Sequence, residues 1–198
     1  ACAPKLAELC EKYNVLDPIP VTGVTPEIFR ALLHYVYGGE VPSKILEERS
    51  KEIIEAAHRF GVSNLKVEAE ASYVQSTTIT AGNVVDNLHL ADTRKCALLK
   101  EKVMDFLVEN GAEVFAKISS FRKMPECSQT MFHDFLAAMA MGKSDDKDYD
   151  GDDPSKFKTM SVNTLRRKLS DRGLDVGDTR EMLVSTLLEG SYARRRER

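Results

Sequence analysis

The sequence contains four cysteines, Cys2, Cys10, Cys96 and Cys127, but no CxxC pair and no histidine clustered with any of them. That spacing excludes the common zinc sites and fits reduced thiols in a nuclear or cytoplasmic protein. The four histidines, His34, His58, His89 and His133, stand apart, with none at the i, i+4 spacing of a metalloprotease pair. No phosphate-cradling GxxxxGK[ST], no GxGxxG and no GxSxG is present, so no motif supports an enzyme or implies a cofactor. No apolar run approaches the roughly 20 residues of a transmembrane helix, and no leader is visible at the start. Tryptophan is absent as well.

What is there is helical period and uneven charge. The 198 residues are 42% hydrophobic and 30% charged, with a net charge of −3. That is enough to bury a core of domain size plus a small second domain. Residues 144–153 hold six Asp and one Lys, whereas residues 160–198 hold nine Lys/Arg against six Asp/Glu. An acidic run thus separates a mildly acidic body from a basic tail, as a domain boundary would.

In TPEIFRALLHYVYGG, Thr25 can cap a helix and Pro26 suits its first position. Ile28, Phe29, Leu32, Leu33 and Val36 share one face, and Gly38–Gly39 supply a stop. PIPVTG before it reads as strand-like. In the following segment Ile53, Ile54, Ala57 and Phe60 form a stripe, Gly61 is a C-cap, and Ser63 starts a helix carrying Leu65, Ala69 and Tyr73. The pattern returns at an offset of 34: Ile54 with Leu88, Ala57 with Ala91, Leu65 with Leu99, Lys66 with Lys100, Val74 with Val108. Two stacked antiparallel helix pairs are expected, with Thr80 capping the second pair and Gly111 ending it. Two units without an aromatic signature do not make a tetratricopeptide array. Phe132, Phe135, Leu136 and Met139 predict one more helix, and Met131, Met139 and Met141 a soft packing surface.

Residues 24–41, VTPEIFRALLHYVYGGEV, resemble the helix and Y-x-G turn near the end of a BTB/POZ domain, and IIEAAHRFGVSNLKVEAEASYV resembles its closing hairpin. TAGNVVDNLHLADTRKCALLKEKVMDFL, residues 80–107, is similar to the start of a BACK-type extension in speckle-type POZ adaptors. The resemblance spans roughly residues 1–140. It implies a substrate adaptor of a cullin-3 type ubiquitin ligase, with substrate proteins as further partners. Val15-Leu16-Asp17 approximates the family's hydrophobic-x-Glu contact motif. A BTB domain normally begins with a strand pair and a long helix, and the resemblance implies that this chain starts after them, as a fragment or a truncated gene product, with homodimerisation dependent on the missing piece.

Beyond the acidic run, Ser161 can cap a helix with Val162, Leu165 and Leu169 inward. Gly173-Leu174 makes a tight exit, and Asp178 or Thr179 caps a second helix with Met182, Leu183 and Leu187 inward. LRRKL, RGL, a G/T/R cluster and MLV resemble a SAP motif, which binds DNA and sometimes RNA. The resemblance implies phosphate contacts from Arg166, Arg167, Lys168, Arg172 and Arg180, joined by the backbone N–H groups of the second helix. Asp178 stands where the family carries Gly, and Thr186 replaces a late Arg. The alternative fate of these cations is a solvated helix face.

DKDYDGDD resembles the first half of an EF-hand loop, through Asp146, Asp148, Asp150 and Gly151. The eighth, ninth and twelfth positions hold Asp153, Pro154 and Phe157, so the bidentate Glu is missing and no metal site is expected. The fold class is therefore mainly α: a truncated BTB/POZ α/β remnant (1–75), BACK-like stacked helical hairpins (76–141), an acidic extended linker (142–158), a small helix–loop–helix SAP-like module (159–190) and a basic tail (191–198). The expected role is a non-enzymatic interaction scaffold in the nucleus or cytoplasm, with a nucleic-acid-binding or chromatin-organising protein free of any ligase connection as the alternative. No membrane partner is expected.

Overall fold

A computed structural model describes residues 3–12, 19–117 and 153–196. The described residues are mainly helical, with eight α-helices and no strand. No helix among them is long and apolar enough to cross a membrane. The chain divides into two compact units, Ala1–Thr77 and Thr78–Arg198.

The first unit holds α1 (Pro4–Glu11), α2 (Pro26–Val36), α3 (Ser43–Phe60) and α4 (Ser63–Ser76). Pro26 opens α2, where its missing N–H is no loss. Thr25 precedes it, but its hydroxyl accepts from Arg49 Nη2 (3.3 Å) instead of capping the helix. Gly38, at φ +88°, turns the chain out of α2, and Gly39 N–H returns to His34 O at 2.9 Å. Any side chain at residue 39 would run into the His34 imidazole. The expected strand at PIPVTG is not formed. Thr22 offers its carbonyl to Arg59 Nη1, and Gly23 adopts φ +73°. With no partner strand among the described residues to share a ladder, the segment is held by such side-chain bonds instead.

The predicted stripe of α3 is the core: Ile53, Ile54, Ala57 and Phe60 are buried, as are Leu65 and Ala69 of α4 and Ile28 and Leu32 of α2. The Phe29 and Phe60 rings lie 5.5 Å apart, tilted. Arg49 interrupts α3 with φ −129° and ψ 24°, and its guanidinium binds Glu27 and Glu52. That hydrogen bond holds the Glu52 carboxyl below its usual 4.5.

The second unit begins with α5 (Val84–Arg94) and α6 (Ala97–Lys117). Asn83, not Thr80, shapes the entry to α5. Its Oδ1 accepts from Thr80 N (2.8 Å) and its Nδ2 donates to Thr78 O (3.0 Å). Gly111 does not end α6. The helix is kinked at Asn110 (φ −119°, ψ 18°) and resumes to Lys117. Asn110 Nδ2 donates to Phe106 O at 3.1 Å, so this carbonyl keeps a donor through the break and the ladder restarts.

The 34-residue offset is a structural repeat. Gly61 (φ +74°) and Lys95 (φ +54°) both take the left-handed conformation that ends a helix. The next amide closes each turn alike: Val62 N to Ala57 O at 2.9 Å, and Cys96 N to Ala91 O at 2.8 Å. Ile54 and Leu88, Ala57 and Ala91, Leu65 and Leu99 are buried in their own pairs.

Among its described residues the second unit continues with a 3-10 turn (Pro154–Lys156), α7 (Val162–Ser170) and α8 (Arg180–Arg196). Several expectations fall outside the described residues: the Val15-Leu16-Asp17 motif, the helix and methionines of 131–141, and most of the acidic run with Asp146, Asp148, Asp150 and Gly151.

Candidate nucleic-acid interface

The C-terminal module is built from its caps inward. Asp153 accepts from Ser155 N (3.0 Å) and Ser155 Oγ (2.8 Å), which shapes the Pro154–Lys156 turn. The turn delivers Phe157, the residue at the twelfth position of the would-be EF-hand loop, into the core with no exposure. Asp153, Pro154 and Phe157, residues of the expected linker, thus contribute a turn and a core side chain to this module. Ser161 caps α7 as predicted, accepting from Thr164 N. Gly173 takes φ +67°, and Leu174 N reaches back to Leu169 O at 3.0 Å, which ends α7 at the predicted place. Thr179 precedes α8, with Met182 N directed at its Oγ1 (3.5 Å).

Phe157, Met160, Val162, Leu165 and Leu169 pack with Leu183, Val184 and Leu187 of α8. Ala97 from α6 belongs to the same cluster, and Leu98 packs against it. The register of α8 differs from the expected one by a residue: Met182 is 46% exposed, whereas Val184 is buried. Leu183 and Leu187, one turn apart, define the inward face, and Val184 lies nearer to it than Met182 does.

The five basic residues are not brought together on one surface. Arg166 is only 7% exposed, and its Nε donates to Val176 O at 3.1 Å across the α7–α8 connection. Lys168 is equally buried. Arg180 sends Nη2 to Met160 O (2.7 Å) and Lys158 O (3.3 Å), bracing the start of α8 against the segment before α7. Arg172 is half-buried with its guanidinium beside Gly190, and Arg167 is exposed. Arg166 and Arg180 thus brace the module's own backbone, which a charge count cannot reveal. Acidic side chains interleave with the outward cations: Asp171, Asp175 and Glu181 are exposed.

The entry to α8 carries its own anion. Asp178 Oδ1 accepts from Thr179 N at 2.9 Å and lies 3.2 Å from Lys95 Nζ. The first amide of α7, Val162 N, donates to both carboxylate oxygens of Glu101 on α6, at 3.1 and 3.2 Å. Sequence reasoning missed Lys95, Glu101 and Asp178 as a group. One signal was available: at the 34-residue offset Lys95 falls where the first pair has Gly61. Among the described residues no group of three or more metal-ligating side chains is gathered.

The boundary of the first unit meets an independent finding. The BTB/POZ domain profile matches residues 5–77. This BTB/POZ match ends where the first compact unit ends, at Thr77. Mouse TD and POZ domain-containing protein 1-like is 25% identical over 115 residues, 58% of this chain and 31% of its own length. Mouse TD and POZ domain-containing protein 4 is 25% identical over 124 residues, covering 61% and 33%. Mouse TD and POZ domain-containing protein 3 is 24% identical over 131 residues, covering 64% and 35%. The chain spans about a third of the length of these relatives.

Proposed function

We propose that this chain is a non-enzymatic protein-interaction scaffold, acting as a substrate adaptor of a cullin-3 type ubiquitin ligase in the nucleus or cytoplasm. The observation that carries the reading is the BTB/POZ match at residues 5–77, coincident with one compact unit. Its continuation into a second helix pair is in keeping with a BACK-type extension. Full-length chain should co-purify with the cullin-3 type scaffold, and clean absence of that association sinks the adaptor role.

The SAP-like module adds a weak electrostatic hold on DNA or RNA in this reading. This reading assigns the phosphate contacts to exposed Arg167 and half-buried Arg172, since Arg166 and Arg180 donate to backbone carbonyls of the module itself. Two phosphate contacts give a shallow salt dependence, a slope of roughly −1.8 in log K against log salt. Filter binding of duplex DNA to the whole chain checks this. Replacing Arg167 and Arg172 by Ala should abolish the salt-dependent part, and unchanged binding defeats the assignment. Exposed Arg167 is also the observation that favours the alternative, a nucleic-acid-binding protein without a ligase connection, for which DNA binding would persist where the cullin association fails.

A further inference from the structure

We infer that residues 153–196 are an intramolecular docking element, latched onto the α5–α6 pair by Glu101 and by Lys95, and that Lys95 holds its left-handed conformation for the sake of this latch. Both helices of the module are held near their N-terminal ends. Ser161 serves Thr164 N, which leaves Val162 N without an acceptor inside its own helix. Glu101 supplies it with both carboxylate oxygens, at 3.1 and 3.2 Å. A carboxylate at a helix N-terminus is favoured by the helix dipole as well as by the hydrogen bond. At the entry to α8, Asp178 is gripped by Lys95 Nζ at 3.2 Å. Between these two contacts, Ala97 enters the module's apolar cluster and Leu98 packs beside it.

The repeat isolates what Lys95 contributes. Gly61 makes the same turn with no side chain, at no steric cost. A lysine there must hold an L-residue in a conformation that disfavours it. The backbone bond that the turn needs, Cys96 N to Ala91 O, is the counterpart of Val62 N to Ala57 O and needs no lysine. What the lysine adds is the reach to Asp178. The latch is built from one half-exposed ion pair (49% and 27% side-chain exposure) and one carboxylate cap over a small apolar contact. Such contacts set a reversible equilibrium between a docked module and a released one. Release uncovers the first turn of α6 and the leading amide of α7.

Hydrogen exchange on the full 198-residue chain tests this. In Lys95→Gly the latch contact is lost while the turn is relieved. The Cys96 amide should exchange as slowly as before or more slowly, and the Val162 amide should exchange roughly two- to fivefold faster. A residue that serves only the turn would move both amides in one direction, and that outcome, or no change at Val162, overturns the proposal. In Glu101→Gln the first amides of α7 should exchange roughly tenfold faster with α5 unchanged. Equal acceleration throughout α5, α6 and α7 also overturns it, because the module would then be an inseparable part of one core. The double exchange Lys95→Asp with Asp178→Lys should restore the protection that either single change removes, and failure to do so counts against the ion pair.

Discussion

The α3–α4 and α5–α6 pairs leave their first helix through one geometry, on Gly61 in the one case and Lys95 in the other. Their buried positions correspond at 34-residue spacing, so the apolar pattern alone makes them interchangeable. They differ in what surrounds the turn. A methylene at Gly61 would stand 3.4 Å from Pro4 Cγ and Lys5 Cγ, at the start of α1, so the turn is closed over by apolar stem. At Lys95 the side chain is turned toward Asp178 of the C-terminal module. The same backbone solution therefore ends in a packed turn in one pair and in a contact point in the other. A repeat conserves the hydrogen-bonded frame of a motif; the turn residue is where two copies can diverge at little cost to the frame.

The comparison can be broken most decisively in the cores. Leu65 and Leu99 are both fully buried at matching positions. Replacing either by Ala should cost about 2–5 kcal/mol, read from chemical denaturation. If one position tolerates the change at under about 1 kcal/mol, the two pairs are not equivalently packed. Next in size is the turn itself. Gly61→Lys imposes the second pair's residue on the first, against Pro4 and Lys5, and should destabilise by about 1–2 kcal/mol in a thermal melt. A variant as stable as the parent would show that the left-handed position is lenient in this fold.

The smallest effect sharpens a feature of the first pair, the Arg49 cluster. The Glu52 carboxyl titrates below its usual 4.5 because Arg49 hydrogen-bonds to it. A depressed folded value means that the contribution is present above the unfolded pKa and lost as pH falls through the lowered one. Arg49→Ala should therefore flatten the fall in melting temperature below about pH 4.5 and leave the shape at neutral pH unchanged. Both groups face solvent, so the difference is small and fades with added salt. Identical acid limbs for parent and variant would remove Glu52 from the account.

Much of the fold was legible because its signals are local. Pro26 at a helix start, Gly61 and Gly173 at helix ends, and Ser161 as a cap act within a turn of their own position, and the apolar stripes follow period. What was not legible depends on side-chain direction. Asn110 lets α6 continue where Gly111 alone reads as a stop, because the side-chain amide supplies the donor that Phe106 O keeps. Met182 and Val184 flank Leu183, and only packing decides which of them is buried. The basic residues carry charge but not aim. A guanidinium has five donors, which backbone carbonyls satisfy as readily as phosphates do. Arg166 and Arg180 bend inward accordingly, and the pattern RRK reads as a patch that the folded module does not present. Glu101 lies 61 residues from the amide it meets, beyond the reach of any local rule.

The break at Asn110 bears on how α6 transmits force. A straight helix is a rod: a pull at one end is felt along its whole length. Here the Ala97–Glu109 portion, with Ala97 and Glu101 at the module, is set off by a kink from Gly111–Lys117. At the joint, Asn110 Nδ2 donates to Phe106 O. A helix gives most readily where its regular bonding is interrupted, so bending of α6 concentrates at Asn110 and not in its first turn.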